Sequence, residues 1–507
     1  MLNKTLLSSA AVIMAVVGAQ AADLPSKKAA PATYVKICDA YGAGFFYIPG
    51  TDTCVKVGGY VRYELQYTPA QDVRRVVAGA TTYAVKSSTG VITATAGAAA
   101  NSITQTKNTQ DTFGSEYRGR IDLDARTPTA YGAVRTFVSL RGTGTSGLRK
   151  AAYDYNAATV APTLGGSSNA DLNMEKAFIQ WAGFTVGNAS SNYAMIPSMT
   201  YTANGWAGFP NGQRQIAYTA NFGGGISATV ALEDKQIWGQ DSGSTNINLP
   251  DTPASLVGNI RLDQAWGFAA LHGVVGKHTL SNAAALAADS KSPQLTYAAN
   301  TALDGTLAAG AQTKAGYGVG TTVSFNLDML AKGDKIWLTA NYENGWYGAI
   351  LSSGSLSSPS DASSGGRVLG GAIRKDANVV FTGVNAAGVN TGYDTTTGWN
   401  VGGQLLHYWA SNWRSVFTTA YAQVNPPTQA QTTAIAWGKG SIYEARGSLI
   451  YSPAKDFDIG VEVQYLKNSN SLQNTSTCTD CTDWKAAGYP GLNNNNFTTK
   501  MRVERSF

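Results

Sequence analysis

The strongest constraint on the fold is a two-residue rhythm in the stretch Val55 to Tyr67, V-K-V-G-G-Y-V-R-Y-E-L-Q-Y. Val55, Val57, Gly59, Val61, Tyr63, Leu65 and Tyr67 occupy one parity, and Lys56, Gly58, Tyr60, Arg62, Glu64 and Gln66 the other. Successive side chains of a strand point to opposite faces, so this strand carries one apolar wall and one charged wall. The stretch Asn496 to Phe507 repeats the pattern, with Phe497, Met501, Val503 and Phe507 set against Lys500, Arg502 and Glu504. Two such strands near opposite ends of a long chain predict a sheet closed on itself, first strand against last.

Composition supports strands over helices. Of the 507 residues only 14% are charged, and Gly (56) far exceeds Pro (16). No stretch of the mature chain supplies the ~20 apolar residues that a membrane helix needs. The net charge of +6 does not gather in a basic helix or tail, so nucleic-acid binding is not expected. Residues 1–21 have the build of a secretory signal peptide: Lys4, an apolar run from Leu6 to Gly18, and small residues ending in a cleavage site at Ala21. Residues 22–54 then form a periplasmic segment with a Cys-bracketed loop, and residues 55–507 the barrel.

All four cysteines lie in the exported part, which favours two disulfides, Cys38 with Cys54 and Cys478 with Cys481. A zinc site is disfavoured, because the second pair sits in a Ser/Thr/Asn-rich loop and the first is widely spaced. No metal and no cofactor is expected.

Alternating segments recur along the chain, among them Ser115–Arg126, Tyr131–Arg141, Leu172–Trp181, Lys335–Asn344, Gly398–Trp409, Trp413–Gln423 and Phe457–Leu466. They predict an all-β fold: a 16-stranded antiparallel transmembrane β-barrel with seven short periplasmic turns, eight long outer loops and an inward-folded third loop. In lipid every backbone amide must be paired, so a sheet survives there only when closed. Val57, Val61, Leu65, Ile121, Leu123, Val138, Leu140, Val461 and Val463 suit the lipid side, and Tyr63, Tyr67, Tyr131, Trp181, Trp399, Trp409, Tyr451, Tyr465 and Phe507 suit aromatic girdles. A secreted soluble β-protein would share the alternation but has no need to put its long loops on one side.

The charged parity carries the functional candidates. Lys56, Arg62, Arg118, Arg120, Arg135, Arg141, Lys500 and Arg502 fall on one wall of neighbouring strands, interleaved with Glu64, Asp122, Asp124 and Glu504. A dry core would not collect like charges. A water-filled lumen tolerates them and lets their field act on passing solutes. The loop Asn188 to Gly212 is apolar enough to fold inward as the constriction, and it contains no Asp or Glu. That weakens any transverse field and predicts mild anion preference or poor selectivity. Three histidines (His272 and His407 in strands, His278 at the start of a loop) form no catalytic constellation, and no enzyme is expected. A substrate-specific channel, for sugars for example, would need an aromatic track for which Tyr60 and Trp337 alone are too few; a surface adhesin with an occluded barrel would also fit the long polar loops.

The run from Val35 to Cys54, V-K-I-C-D-A-Y-G-A-G-F-F-Y-I-P-G-T-D-T-C, leading directly into V-G-G-Y-V-R at Val57 to Arg62, resembles the trimeric general-diffusion porins of alphaproteobacteria. Phe113 to Arg120 and Phe507 add to the likeness. The resemblance implies a sixteen-stranded barrel, a homotrimer seated in outer-membrane lipid and lipopolysaccharide, and passive uptake of small hydrophilic solutes. It also implies that Phe507 is the signal read by the barrel-insertion machinery. Members of that family often carry acidic residues in the inward loop; this chain lacks them.

Overall fold

The computed structural model describes residues 36–69, 71–77, 83–85, 92–94, 102–108, 113–147, 171–197, 199–201, 213–234, 254–280, 312–346, 350, 379–384, 390–425, 427, 437–472 and 491–507. Ala21, Cys478 and Cys481 lie outside the described residues.

Sixteen strands among the described residues form the barrel. They are β1 (Cys54–Tyr67), β2 (Phe113–Thr127), β3 (Val134–Gly147), β4 (Asp171–Trp181), β5 (Phe184–Ala189), β6 (Gln213–Gly223), β7 (Ile226–Asp234) and β8 (Ala254–Gln264). The second half comprises β9 (Gly267–Leu280), β10 (Gln312–Asn326), β11 (Lys335–Asn344), β12 (Thr397–Ala410), β13 (Trp413–Asn425), β14 (Trp437–Ala454), β15 (Phe457–Leu472) and β16 (Gly491–Ser506). Each pairs antiparallel with its sequence neighbour, and β1 pairs with both β2 and β16, which closes the sheet. Tyr60 faces Ser506 and Tyr67 faces Thr499 across the seam. One step further, Gly59 and Phe507 exchange backbone hydrogen bonds of 3.2 and 3.1 Å.

Below that point β1 runs on without β16. Its edge is covered by a two-residue strand, Phe46–Tyr47, which pairs with Val55 and Cys54. The Cys38–Cys54 disulfide ties this small loop together, and Cys38, Phe45 and Cys54 form its buried centre.

The outer face follows the parity rule. Val57, Val61, Leu65, Ile121, Leu123, Val461 and Val463 are exposed on the outer face, as lipid contact requires. Aromatic pairs mark both rims: Tyr131 with Trp181, Phe184 with Tyr218 and Trp413 with Tyr451 near the short turns, Tyr67 with Phe113 and Trp399 with Tyr421 near the long loops. No described helix is long and apolar enough to cross a membrane.

Two outer loops contain more structure than their composition suggests. Within the first, Gln71–Val77 pairs with Ser102–Asn108 and Tyr83–Val85 with Ile92–Ala94; within the largest, Val379–Val384 pairs with Asn390–Thr395. Val, Ile and Thr in these segments favour the extended backbone even between Gly- and Ser-rich flanks. His278, expected to open a loop, instead falls inside β9 and pairs with Lys314.

Candidate functional site: a loop across the lumen and a basic wall opposite

The third long loop leaves β5 and turns into the barrel, because the inner wall offers its backbone partners that water would otherwise supply. At its start, Glu233 of β7 accepts hydrogen bonds from Ser191 Oγ (2.7 Å), Asn192 N (2.7 Å) and Asn192 Nδ2 (3.0 Å). Asn259 of β8 donates to Asn192 O at 2.9 Å, and Tyr193 meets the His272 ring edge-on at 4.5 Å. Further along, Gln404 of β12 donates to Pro197 O (3.2 Å) and Arg446 of β14 to Thr200 Oγ1 (3.0 Å). The described part ends at Tyr201. Its N–H donates to Glu462 of β15 (2.6 Å), its carbonyl accepts from Arg502 of β16 (2.9 Å), and its ring lies 4.1 Å beneath the Arg502 guanidinium. The segment thus spans the lumen from β7 to β16.

Its own lack of acid is compensated by the wall. Glu233 and Glu462, both almost fully buried, are the acceptors that seat it. Burial raises the phenols of Tyr193 and Tyr201 above their ordinary range, so both rings enter these contacts neutral.

Beneath the loop the inner wall is apolar, a feature the charged parity did not foretell. Phe268, Trp337, Leu406, Val416 and Ile450 form one cluster with Tyr201, and Met195, Ile196 and Met199 pack on it. The sequence does carry a signal for this surface. Leu405-Leu406, Val416-Phe417 and Leu449-Ile450 are adjacent apolar pairs, which break the alternation and mark a strand covered on both faces. The largest outer loop also begins by turning inward: Trp346 and Ile350 are fully buried, with Trp346 N donating to Glu343 at 2.7 Å.

On the opposite side, β1 to β4 present the wall that the described loop residues leave to water. Register sets the arrangement: Arg62 lies opposite Arg118, Tyr60 opposite Arg120, and Arg120 opposite Arg141. The Tyr60 ring is flanked by Arg62 at 4.6 Å and Arg120 at 4.8 Å. Each cation has a carboxylate neighbour: Arg62 with Glu504 (2.5 Å), Arg118 with Glu116 (2.8 Å), Arg120 with Asp122 (2.7 Å), Arg141 with Glu175 (2.9 Å) and Arg135 with Asp124 (3.0 Å). Lys56 is exposed opposite Asp124.

The residues singled out by sequence therefore divide into two groups. Arg120, Arg135 and Arg141 keep 33%, 30% and 25% of their side chains open to the lumen. Arg502 keeps 12% and Glu64 only 1%; these two are ion-paired to each other and hold the loop rather than line the water path. Lys500 is buried in the row between Glu462 and Gln66. Among the described residues no group of His, Cys, Asp and Glu could hold a metal ion.

Residues 23–488 match a family model described as the porin subfamily. Porin Omp2b of Brucella abortus is 30% identical over 284 residues, and that of Brucella melitensis is 30% identical over 282. The alignments cover 52% of this chain and span 63% of the length of those relatives. Among solved structures, the outer membrane channel DcaP of Acinetobacter baumannii superposes with a TM-score of 0.51 at 16% identity, covering 91% of this chain and 99% of that one. With a closed sixteen-stranded barrel, a loop across its lumen and a family match over most of its length, this outer-membrane chain belongs to the porin subfamily.

Proposed function

We propose that the barrel is a passive, water-filled channel through which small hydrophilic solutes and ions diffuse across the outer membrane. The observation that carries this reading is the asymmetry of the lumen. An inward loop covers one wall, while the wall opposite leaves Arg120, Arg135 and Arg141 partly exposed and pairs them with carboxylates. No bond-making constellation is needed for such a task; the wall acts by shape and field. Because the described loop residues add no acid to face the basic wall, anions are expected to be mildly preferred. Lys56, Arg62, Arg118, Arg120, Arg135 and Arg141 shape that field in this reading.

The channel is further proposed to act as a homotrimer in outer-membrane lipid and lipopolysaccharide, with Phe507 read by the insertion machinery. A sugar track receives no support from Trp337, which is buried beneath the loop. Planar-bilayer recording tests the proposal: ohmic steps in groups of three with a modest anion-directed reversal potential in a salt gradient are expected. Electrical silence would overturn the open channel, and strong cation preference would overturn the field assignment.

A further inference from the structure

The lumen of a porin barrel is lined by polar side chains, yet two phenylalanines face it. Phe137 of β3 and Phe178 of β4 are direct partners across the ladder and lie in the inward row of Asp124. Their rings stack at 5.2 Å with 23° between planes, and both remain half-buried. Neither belongs to a buried cluster among the described residues. No buried core therefore accounts for them.

Cations surround this pair. The Arg135 guanidinium lies 5.1 Å from Phe137 and 5.3 Å from Phe178, held in place by Asp124 and by Gln180 at 2.9 Å. Arg126 stands directly opposite Arg135 and shares Asp124 with it. On its other side Arg126 lies 4.9 Å from Phe45 and 5.7 Å from Tyr41 of the disulfide loop, and Gly44 of that loop sits against the Lys56 side chain. Arg126 and Lys56 are inward-facing residues at the short-turn end of β2 and β1, so the loop leans over the inner rim of the mouth. One carboxylate, Asp124, thus serves two arginines, both about a third exposed, beside an exposed lysine. The site has cationic capacity to spare and an apolar platform next to it.

We propose that this periplasmic vestibule is a binding subsite for small organic anions that carry an aromatic or flat apolar group. It rests on the channel reading above and names a solute class for it. The anionic end pairs with Arg126 and Arg135, whose planar guanidinium groups suit a carboxylate, while the flat group lies on Phe137 and Phe178. Such a subsite raises the local concentration of these solutes at the exit and favours them over equally charged but fully polar anions.

The test uses the full-length chain reconstituted in planar bilayers. Benzoate and acetate are added at equal concentration to the side of the short turns, and the reduction of single-channel chloride current is measured. Benzoate is expected to block more strongly than acetate, by roughly twofold to fivefold, the scale of one exposed aromatic contact. Phe137→Ala with Phe178→Ala is expected to lower the benzoate effect to that of acetate while conductance in potassium chloride is retained. Equal block of the unmodified chain by the two anions would overturn the subsite without any variant, and so would full benzoate block in the double variant. Loss of all conductance in potassium chloride by the unmodified chain would instead overturn the channel reading itself.

Discussion

Tyr201 holds the far end of the lumen-crossing loop, and Tyr201→Ala is the perturbation whose outcome can be worked most fully. The ring occupies a notch in β15 that exists because position 460 is glycine: a Cβ there would stand 1.9 Å from the Tyr201 hydroxyl. Removing the ring forfeits about 2 kcal/mol of apolar burial and about 1 kcal/mol of its stacking under Arg502. The backbone hydrogen bonds to Glu462 and from Arg502 survive, because alanine keeps the same N–H and C=O. At about 1.4 kcal/mol per tenfold change, a loss near 3 kcal/mol raises the detached population of the loop end roughly 100-fold. Single-channel recording should then show larger open-state current noise and a higher mean conductance. The heat-resistant folded band on a denaturing gel should persist, since the strand ladder is untouched. Tyr201→Phe is the control: the Tyr201 hydroxyl has no hydrogen-bond partner among the described residues, so this variant should match the parent. Gly460→Ala should reproduce the noise of Tyr201→Ala by pushing the ring out. Unchanged noise in both Tyr201→Ala and Gly460→Ala would refute the latch.

Three further outcomes are expected. Arg118→Ala combined with Arg120→Ala should shift the reversal potential toward cations, most clearly below ~0.1 M salt where the Debye length reaches ~10 Å; no shift at low salt would remove these residues from the field. Cys38→Ser with Cys54→Ser opens a loop of sequence separation 16, costing that loop about 3 kcal/mol of chain-entropy restraint. Limited proteolysis should cut within residues 38–54 while the barrel band stays intact. Gly59→Ala places a Cβ against the Arg120 carbonyl of β2 at a backbone φ of +154°, which forces β1 from β2 beside the point where Gly59 and Phe507 exchange two backbone hydrogen bonds, each worth about 1 kcal/mol; the folded fraction on a cold denaturing gel should fall.

Much of the architecture is legible in the chain because lipid and water impose opposite demands on alternate residues. Segments such as Ser115–Arg126 and Phe457–Leu466 therefore mark strands within one to several residues of where β2 and β15 lie. What escapes is whatever depends on contacts between distant inner faces. The apolar character of Val416 and Ile450 makes sense only once they are seen in a cluster with Tyr201 against which Met195 and Met199 pack, and Arg502 reads as a pore charge until Tyr201 is seen against it. Phe137 shares the inward parity of β3 with Arg135, Ser139 and Arg141, and its partner Phe178 comes from another strand. The loop's missing acids are legible as an absence, but their replacement by Glu233 and Glu462 of the wall is a tertiary fact.

The seam between the first and last strands also governs how the molecule comes into being. Arg62 and Glu504 meet across 442 positions of sequence, so no part of the emerging chain can seal the cylinder until nearly all of it has been made and exported. Until then β1 carries an open edge, and open edges invite pairing with the wrong strand. Contacts so remote in sequence form slowly. The disulfide hairpin covers the start of that edge with residues close by in sequence, since Phe46–Tyr47 pairs with Val55 and Cys54, and needs no part of β16 to do so.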